Sequence, residues 1–356
     1  MKKFKNILIV RTDRMGDVVL TTPSIKVLRQ AYPQARISIL VSPATRELIE
    51  GNPCLDEVLV DDRQDRHRGL RGFIRLIFIL RKKRFDLAVI YHTKRRTNLA
   101  CFLAGIPCRI GYKNNKMGFL LTLPILDERP YGQRHEAQYC LDVLRHLGVD
   151  SSAILEKSAE ELAEDLYVAV GQDSQDWAEE FCRQNNIRRG ERLIAIHPGA
   201  SDPSKRWPEY RFSELIDQLA ERYTARMVLI GTSDMRDMAG NITSHVRVPV
   251  LDLTGQTTAG QLAALLRRCD LLVSNDSGPV HLAVGVGAPV VSIFTRHQPG
   301  INPQRWQPLG SKSRVVSVSL NTGISFKKAG AVDPKYLEAI PTQAVLEAVD
   351  SLFKLC

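Results

Sequence analysis

The chain has no apolar run long enough to cross a bilayer. The longest candidate, Leu282 to Phe294, is broken by Gly285, Gly287 and Pro289, well short of the roughly 20 residues that a spanning helix needs. It also lacks a secretory h-region. Met1-Lys2-Lys3-Phe4-Lys5 is basic, but only Ile7 to Val10 follow before Arg11, against about 7–15 apolar residues in a signal peptide. No CxxC pair occurs. The seven cysteines, Cys54, Cys101, Cys108, Cys140, Cys182, Cys269 and Cys356, are scattered and odd in number. They read as reduced, mostly buried thiols of a cytoplasmic protein rather than a disulfide framework.

Several chemistry-bearing motifs are absent as well. No GxGxxG follows an apolar strand, no GxxxxGK[ST] loop exists, no Asp-x-Asp occurs, and no His/Cys cluster has metal-ligand spacing. No metal and no cofactor is expected. Any phosphate charge falls to lysine, backbone amides and helix ends.

What is present is an ordinary globular composition, 44% hydrophobic and 25% charged, which excludes disordered, collagen-like and coiled-coil chains. At 356 residues the chain suits two domains of roughly 150–180 residues. Short apolar runs alternate with helical periods twice over. In the first half, strands are expected at Ile7–Val10, Ile37–Val41, Val58–Val60 and Leu87–Tyr91. Helices are expected at 18–30, from residue 42 through Ile49, and at 66–84, 97–104 and 137–147. In the second half, strands are expected at Leu193–Ile196, Met227–Ile230, Leu271–Val273 and Val290–Phe294, and helices at 208–223, 233–243, 258–268 and 278–286. Residues 150–180, rich in Ser, Ala, Glu and Asp, read as a connection, and Thr342 to Leu355 as a closing helix. Continuous apolar strands with helices between them imply parallel sheets covered on both faces. The expected fold class is therefore α/β, with two doubly wound Rossmann-like domains facing across a cleft. The boundaries are placed at 1–165, 166–340 and 341–356.

The net charge of +10 is unevenly spread. Residues 1–160 hold 28 Lys and Arg against 17 Asp and Glu, whereas the remainder holds 21 against 22. Residues 63–96 alone carry 12 basic and 2 acidic residues. A localised basic surface implies an anionic partner. Helix 66–84 also interleaves Arg with Leu, Ile and Phe, as an interfacial helix does.

Three strand-to-helix turns carry candidate chemistry, because ligands of open α/β sheets bind at the carboxyl edge. The first is Arg11 to Leu20. Asp17 reads either as a helix cap or as a general base, with Asp13 and Arg14 at the rim. The second is His197 to Pro208. Its small residues, Ser201 among them, open the backbone to an anion, and Lys205 and Arg206 add charge. An ordinary loop with a solvated Lys-Arg pair is the other reading. The third is Ser274 to His281. Free amides and a helix N-terminus at Ser277–Gly278 make an anion site, and His281 reads as a phosphate donor or as a core histidine. A weaker fourth, Gly231 to Asp234, places an acid that either meets a ribose or caps a helix.

Together these segments resemble the bacterial ADP-heptose:lipopolysaccharide heptosyltransferases, an inverting GT-B family (glycosyltransferase family 9). The likeness rests on RTDRMGDVVLTTP at Arg11–Pro23, HPGASDPSKRWP at His197–Pro208, LTGQTTAGQLAAL at Leu253–Leu265 and SNDSGPVHLAVGVGAP at Ser274–Pro289. His135-Glu136 also fits. The resemblance implies that Asp17 is the catalytic base. It implies that Ser201, Lys205, Ser277, Gly278 and His281 hold the donor diphosphate, and that Asp276, Asp234 and Thr254 meet the donor sugar or nucleoside. The donor is then ADP-heptose and the acceptor a phosphorylated, Kdo-containing lipopolysaccharide core, with Arg14, Arg63, Arg66, Lys94 and Arg95 as its expected contacts. Peripheral contact with the cytoplasmic face of the inner membrane follows, and nucleic acid is not an expected partner. A sugar-nucleotide epimerase of the same fold and a non-catalytic anion binder are the rival readings.

Overall fold

The computed structural model describes residues 3–149, 157–318 and 338–354. The chain divides into two compact units, residues 1–169 and 170–356. Each contains a six-stranded, wholly parallel sheet.

In the first unit the strands are β1 (Asn6–Val10), β2 (Arg36–Val41), β3 (Glu57–Val60), β4 (Leu87–Ile90), β5 (Cys108–Tyr112) and β6 (Leu123–Ile125). Their order is β3-β2-β1-β4-β5-β6, so the winding direction reverses between β1 and β4. Leu8 and Val10 of β1 join a core with Leu76 and Leu80 of α2 (Gly69–Lys83) and Ala100 and Cys101 of α3 (Arg95–Leu103). By strand alternation Ile7 and Ile9 face the other side, where α1 (Met15–Ala31) packs beside α4 (Glu136–Arg145). Pro23 lies inside α1 and lacks the N–H that would meet the Val19 carbonyl. The Thr22 hydroxyl donates to that carbonyl instead, at 2.7 Å, so the helix continues through the proline.

The second unit holds β7 (Leu193–His197), β8 (Arg226–Leu229), β9 (Val250–Asp252), β10 (Leu271–Asn275), β11 (Val290–Phe294) and β12 (Ser313–Ser317). The order β12-β11-β10-β7-β8-β9 is the same winding, with its reversal between β7 and β10. After α4 the chain forms α5 (Ala159–Glu164), still in the first unit, and the helices of the second unit start with α6 (Gln172–Gln184). Then come α7 (Glu209–Tyr223), α8 (Arg236–Ser244), α9 (Ala259–Arg268), α10 (Gly278–Gly285), the one-turn α11 (Pro303–Trp306) and α12 (Thr342–Phe353). Helix α12 packs on β12, β11 and α7, within the second unit. Leu355 lies outside the described residues.

Four strands, β5, β6, β9 and β12, go beyond the expected set. Three of these end a sheet, and their sequences carry Pro124, Asp252 or Ser313-Arg314 rather than an apolar run, as edge strands tolerate. Two expected features are corrected. Residues 43–49 form a 3-10 turn at Pro43–Thr45 and a single further turn, not a helix, because Gly51 at φ +82° and Pro53 stop propagation. The described part of 150–180 is helical at α5, which Ser158 and Glu161 cap reciprocally, and at the start of α6.

Trp207 anchors the second unit. Its ring is buried, stands edge-on to Phe212 at 5.0 Å, and donates from Nε1 to the Ile340 carbonyl at 2.9 Å, just before α12. Trp207→Ala is expected to cost about 3–5 kcal/mol, read as a lowered urea midpoint.

Candidate active site

At the carboxyl edge of the first sheet, β1 runs directly into α1. Arg14 occupies the position before the helix and Asp17 sits inside its first turn, so the capping reading of Asp17 is overturned. The Asp17 carboxylate instead meets a buried guanidinium. Arg11, 2% exposed, places Nη2 2.5 Å from Asp17 Oδ1 and 3.1 Å from Glu136 Oε1, and Nε 3.1 Å from Asp13 Oδ1. Three carboxylates thus meet the Arg11 guanidinium, with Arg129 adding attraction at Asp13 and Arg14 at Asp17. Burial pushes Asp17 up to about 7; Arg11 opposes this, while Asp13 and Glu136 reinforce it. Asp13 is raised in the same way, burial outweighing Arg11.

The neighbouring loops are basic. Thr12 Oγ1 lies 2.9 Å from His92 Nδ1, just after β4, and accepts from Arg63 Nη2 at 2.9 Å, after β3. Buried Asp61 holds both Arg63 and Arg96. Burial pushes His92 down to about 3, and Arg11, Lys94, Arg63 and Lys116 add repulsion, so the ring is neutral. Lys94 faces Lys116, which holds its ammonium below the ordinary lysine value. Arg63 and Lys94 of the expected acceptor set therefore converge on this edge, with Arg14 exposed at its rim. Arg66 and Arg95 are exposed, and no described ion pair brings them to Asp17.

In the second unit the corresponding edge is tied together by one amide. Asn275, fully buried at the end of β10, accepts from the Trp207 backbone N–H at 3.0 Å and donates from Nδ2 to the Pro198 carbonyl at 2.6 Å. This fixes the loop after β7 against the loop after β10. Lys205 then pairs with Asp276. Burial pushes the Asp276 carboxyl above its ordinary range, against the pull of Lys205. Arg296, just after β11, donates to Asp202 Oδ2 at 2.7 Å and Ser204 Oγ at 2.6 Å, steadying the turn that carries Lys205. Ser201 is exposed on that turn.

Ser277 precedes α10 in extended backbone (φ −160°) and makes no side-chain cap. Its hydroxyl turns inward, 3.0 Å from both Ser274 Oγ and His197 Nδ1. Burial pushes His197 down to about 4, so it is neutral at working pH. Gly278 opens α10, and His281 is buried one turn on, its ring 6.4 Å from that of Trp306. The next two strand ends are knitted to this edge by close approach. A Cβ on Gly199 would fall 2.0 Å from Met235 Sδ, and one on Gly255 (φ +70°) 2.8 Å from Ser233 Cα. Asp234 is thereby exposed beside the edge, its carboxyl held below the usual range by Thr232. It caps no helix: Thr232 precedes its 3-10 turn and Met235 precedes α8. Thr254 is buried next to it, its N–H donating to Asp252 Oδ1 at 2.8 Å.

Sequence reasoning assigned no role to Arg11, Glu136, Lys116, Asn275, His197 or Arg296. A pairing such as Arg11 with Glu136, 125 residues apart, leaves no trace in spacing. A charged residue at the head of an otherwise apolar helix face was the available signal for Glu136.

Two doubly wound units of this order are the GT-B architecture, and the family match makes the protein a glycosyltransferase of that class. The chain belongs to glycosyltransferase family 9: it matches the model described as Glycosyltransferase family 9 (heptosyltransferase) over residues 73–335. It is 26% identical over 355 residues to lipopolysaccharide heptosyltransferase 2 of Escherichia coli strain K12, covering 97% of this chain and 98% of that one. The solved glycosyl transferase family 9 protein from Veillonella parvula DSM 2008 is similar throughout, with a TM-score of 0.86, 26% identity and coverage of 100% and 99%. The E. coli ADP-heptose lps heptosyltransferase II shares the fold, with a TM-score of 0.73, 24% identity and 98% of each chain covered.

The raised Asp17 has a stability consequence. Its folded-state affinity for a proton exceeds the unfolded value near 3.8, so ionisation penalises the folded state, increasingly so as pH rises toward 7. Asp17→Asn is expected to raise the thermal midpoint by at least about 2 °C at about pH 8. The gain should vanish at about pH 4, as differential scanning calorimetry would read.

Proposed function

We propose that this transferase moves a heptosyl group from ADP-heptose to a hydroxyl of an anionic, Kdo-containing lipopolysaccharide inner core, inverting the anomeric centre. The observation that carries the reading is Asp17. It is a carboxyl at the switch point of the first sheet, raised to about 7 by burial, which is where a general base operates best. The names of the relatives supply the sugar and the donor class.

In this reading the Asp17 carboxylate takes the proton of the acceptor hydroxyl as its oxygen bonds to the anomeric carbon. The bond from that carbon to the diphosphate breaks, and ADP leaves from the opposite face. Charge builds on the leaving diphosphate. Lys205, released from Asp276 as the diphosphate competes for it, meets that charge together with the amides at Ser277–Gly278. Asp276, so released, is left to a sugar hydroxyl. Ser201 and His281 complete the diphosphate contacts, and Asp234 and Thr254 face the nucleoside. Arg14, Arg63 and Lys94, with Lys116, hold the anionic groups of the acceptor; Arg66 and Arg95 extend that surface outward. The cationic edge supplies the charge that a metal would otherwise supply, so turnover should survive EDTA. No described helix is long and apolar enough to cross a membrane, and the protein works peripherally, at the cytoplasmic face of the membrane that anchors its acceptor.

Calorimetric titration with ADP and with UDP tests the donor half. Selective ADP binding that weakens in Lys205→Ala is expected; equal binding of both nucleotides, or none, contradicts it. Asp17→Ala should lower turnover at least about 100-fold while leaving ADP affinity unchanged. In the wild type, turnover should fall as pH drops below about 7, because the ionised carboxylate is the active form.

A further inference from the structure

Helix α2 buries one face and leaves another without a partner. Gly72, Leu76 and Leu80 are buried, the two leucines packing on Leu8, Val10 and Leu40. On the opposite side Leu70, Ile74 and Phe78, spaced four apart, form one stripe. They are 74%, 42% and 66% exposed. Helix α3, packed beside α2, ends in exposed Phe102 and Leu103, and the turn packed on α3 carries Phe119 at 78% exposure. Single exposed apolar residues are ordinary on a protein surface, whereas a continuous set on adjoining elements marks an interaction face.

The charges around the stripe say what covers it. Residues 66–84 contain eight Lys and Arg and no Asp or Glu. By helical rotation Arg71, Arg75 and Lys82 form the stripe next to Leu70, Ile74 and Phe78, and Arg81 falls within it. All four cations are exposed, and none enters an ion pair among the described residues. A second copy of the chain would bring like charge against like. Nucleic acid would satisfy the cations but leave leucine and phenylalanine in water. An acidic lipid surface satisfies both, with phosphate at headgroup level and hydrocarbon beneath.

We propose that this face docks the protein on an anionic phospholipid surface. Leu70, Ile74 and Phe78 enter the boundary between headgroups and acyl chains, and Arg71, Arg75, Arg81 and Lys82 meet the phosphates. Docking rests on the transfer reading only for its membrane setting and adds to it the surface that makes the contact; neither nucleotide nor acceptor takes part.

Sedimentation of the full chain with vesicles of phosphatidylcholine, alone or mixed with phosphatidylglycerol, tests this without nucleotide. Binding to the acidic vesicles is expected, weak on the neutral ones and falling as salt rises. Leu70→Asp with Phe78→Asp should reduce it at least about tenfold, as should Arg71→Glu with Arg75→Glu, both pairs keeping the thermal midpoint and ADP affinity of the wild type. Phe78→Trp adds a fourth tryptophan to Trp177, Trp207 and Trp306; its emission, taken as the difference from wild type, should shift to the blue on acidic vesicles alone. Three outcomes overturn the proposal: acidic-vesicle binding untouched by the aspartate pair, binding without a blue shift at position 78, or a dimer that the aspartate pair splits while vesicles go unbound. Loss of ADP binding in the wild type would instead strike the transfer reading and leave docking standing.

Discussion

A buried guanidinium facing three carboxylates leaves them competing for positive charge, and burial favours keeping a proton on Asp17. Arg11 contacts Asp13, Asp17 and Glu136 at once; Arg129 and Arg14 add attraction, but burial outweighs it at Asp13 and Asp17. The proton is therefore held loosely by a group that would be fully ionised in water. The same contact fixes where that group points, since Arg11 is itself held at the end of β1, its backbone N–H donating to Leu40 of β2 at 3.0 Å. Tuning and placement come from the same few atoms.

The second unit solves a complementary problem. On the proposed reading Lys205 meets a diphosphate, and a buried free ammonium awaiting it would be expensive. Asp276 supplies an interim counter-charge. Asn275 and Arg296 hold the two loops so that Lys205 does not have to search for it. An anionic ligand then exchanges one ion pair for another instead of paying for desolvation afresh. On the proposed acceptor side, Lys94 has Lys116, another cation, as its neighbour, whose repulsion outweighs the attraction of Asp13, and an anion there would relieve it.

Much of this was legible in the residues. The central strands read as uninterrupted apolar runs, and the three turns fell where strand gives way to helix, so Asp17, Lys205 and Ser277 stood out as candidates by position, while their proposed roles came from the family resemblance. The edge strands were not legible, because β6, β9 and β12 bury too little to need an apolar run. Nor were the partners. Glu136, Lys116, Asn275 and Arg296 reach their roles only through contacts distant in sequence, which periodicity does not encode. Ser277 shows the limit from the other side: its position was legible, but its inward hydrogen bonds to Ser274 and His197 were not.

The central claim is that Asp17 keeps a proton well above the range of an ordinary carboxyl. Carbon-13 NMR of protein labelled at the aspartate carboxyls, with the Asp17 resonance assigned by its disappearance in Asp17→Asn, measures this directly. A titration midpoint near 7 for that one resonance is the predicted result. A midpoint near the ordinary aspartate value of about 3.9 would show Asp17 ionised beside Arg11 like a solvated carboxyl and would contradict the account.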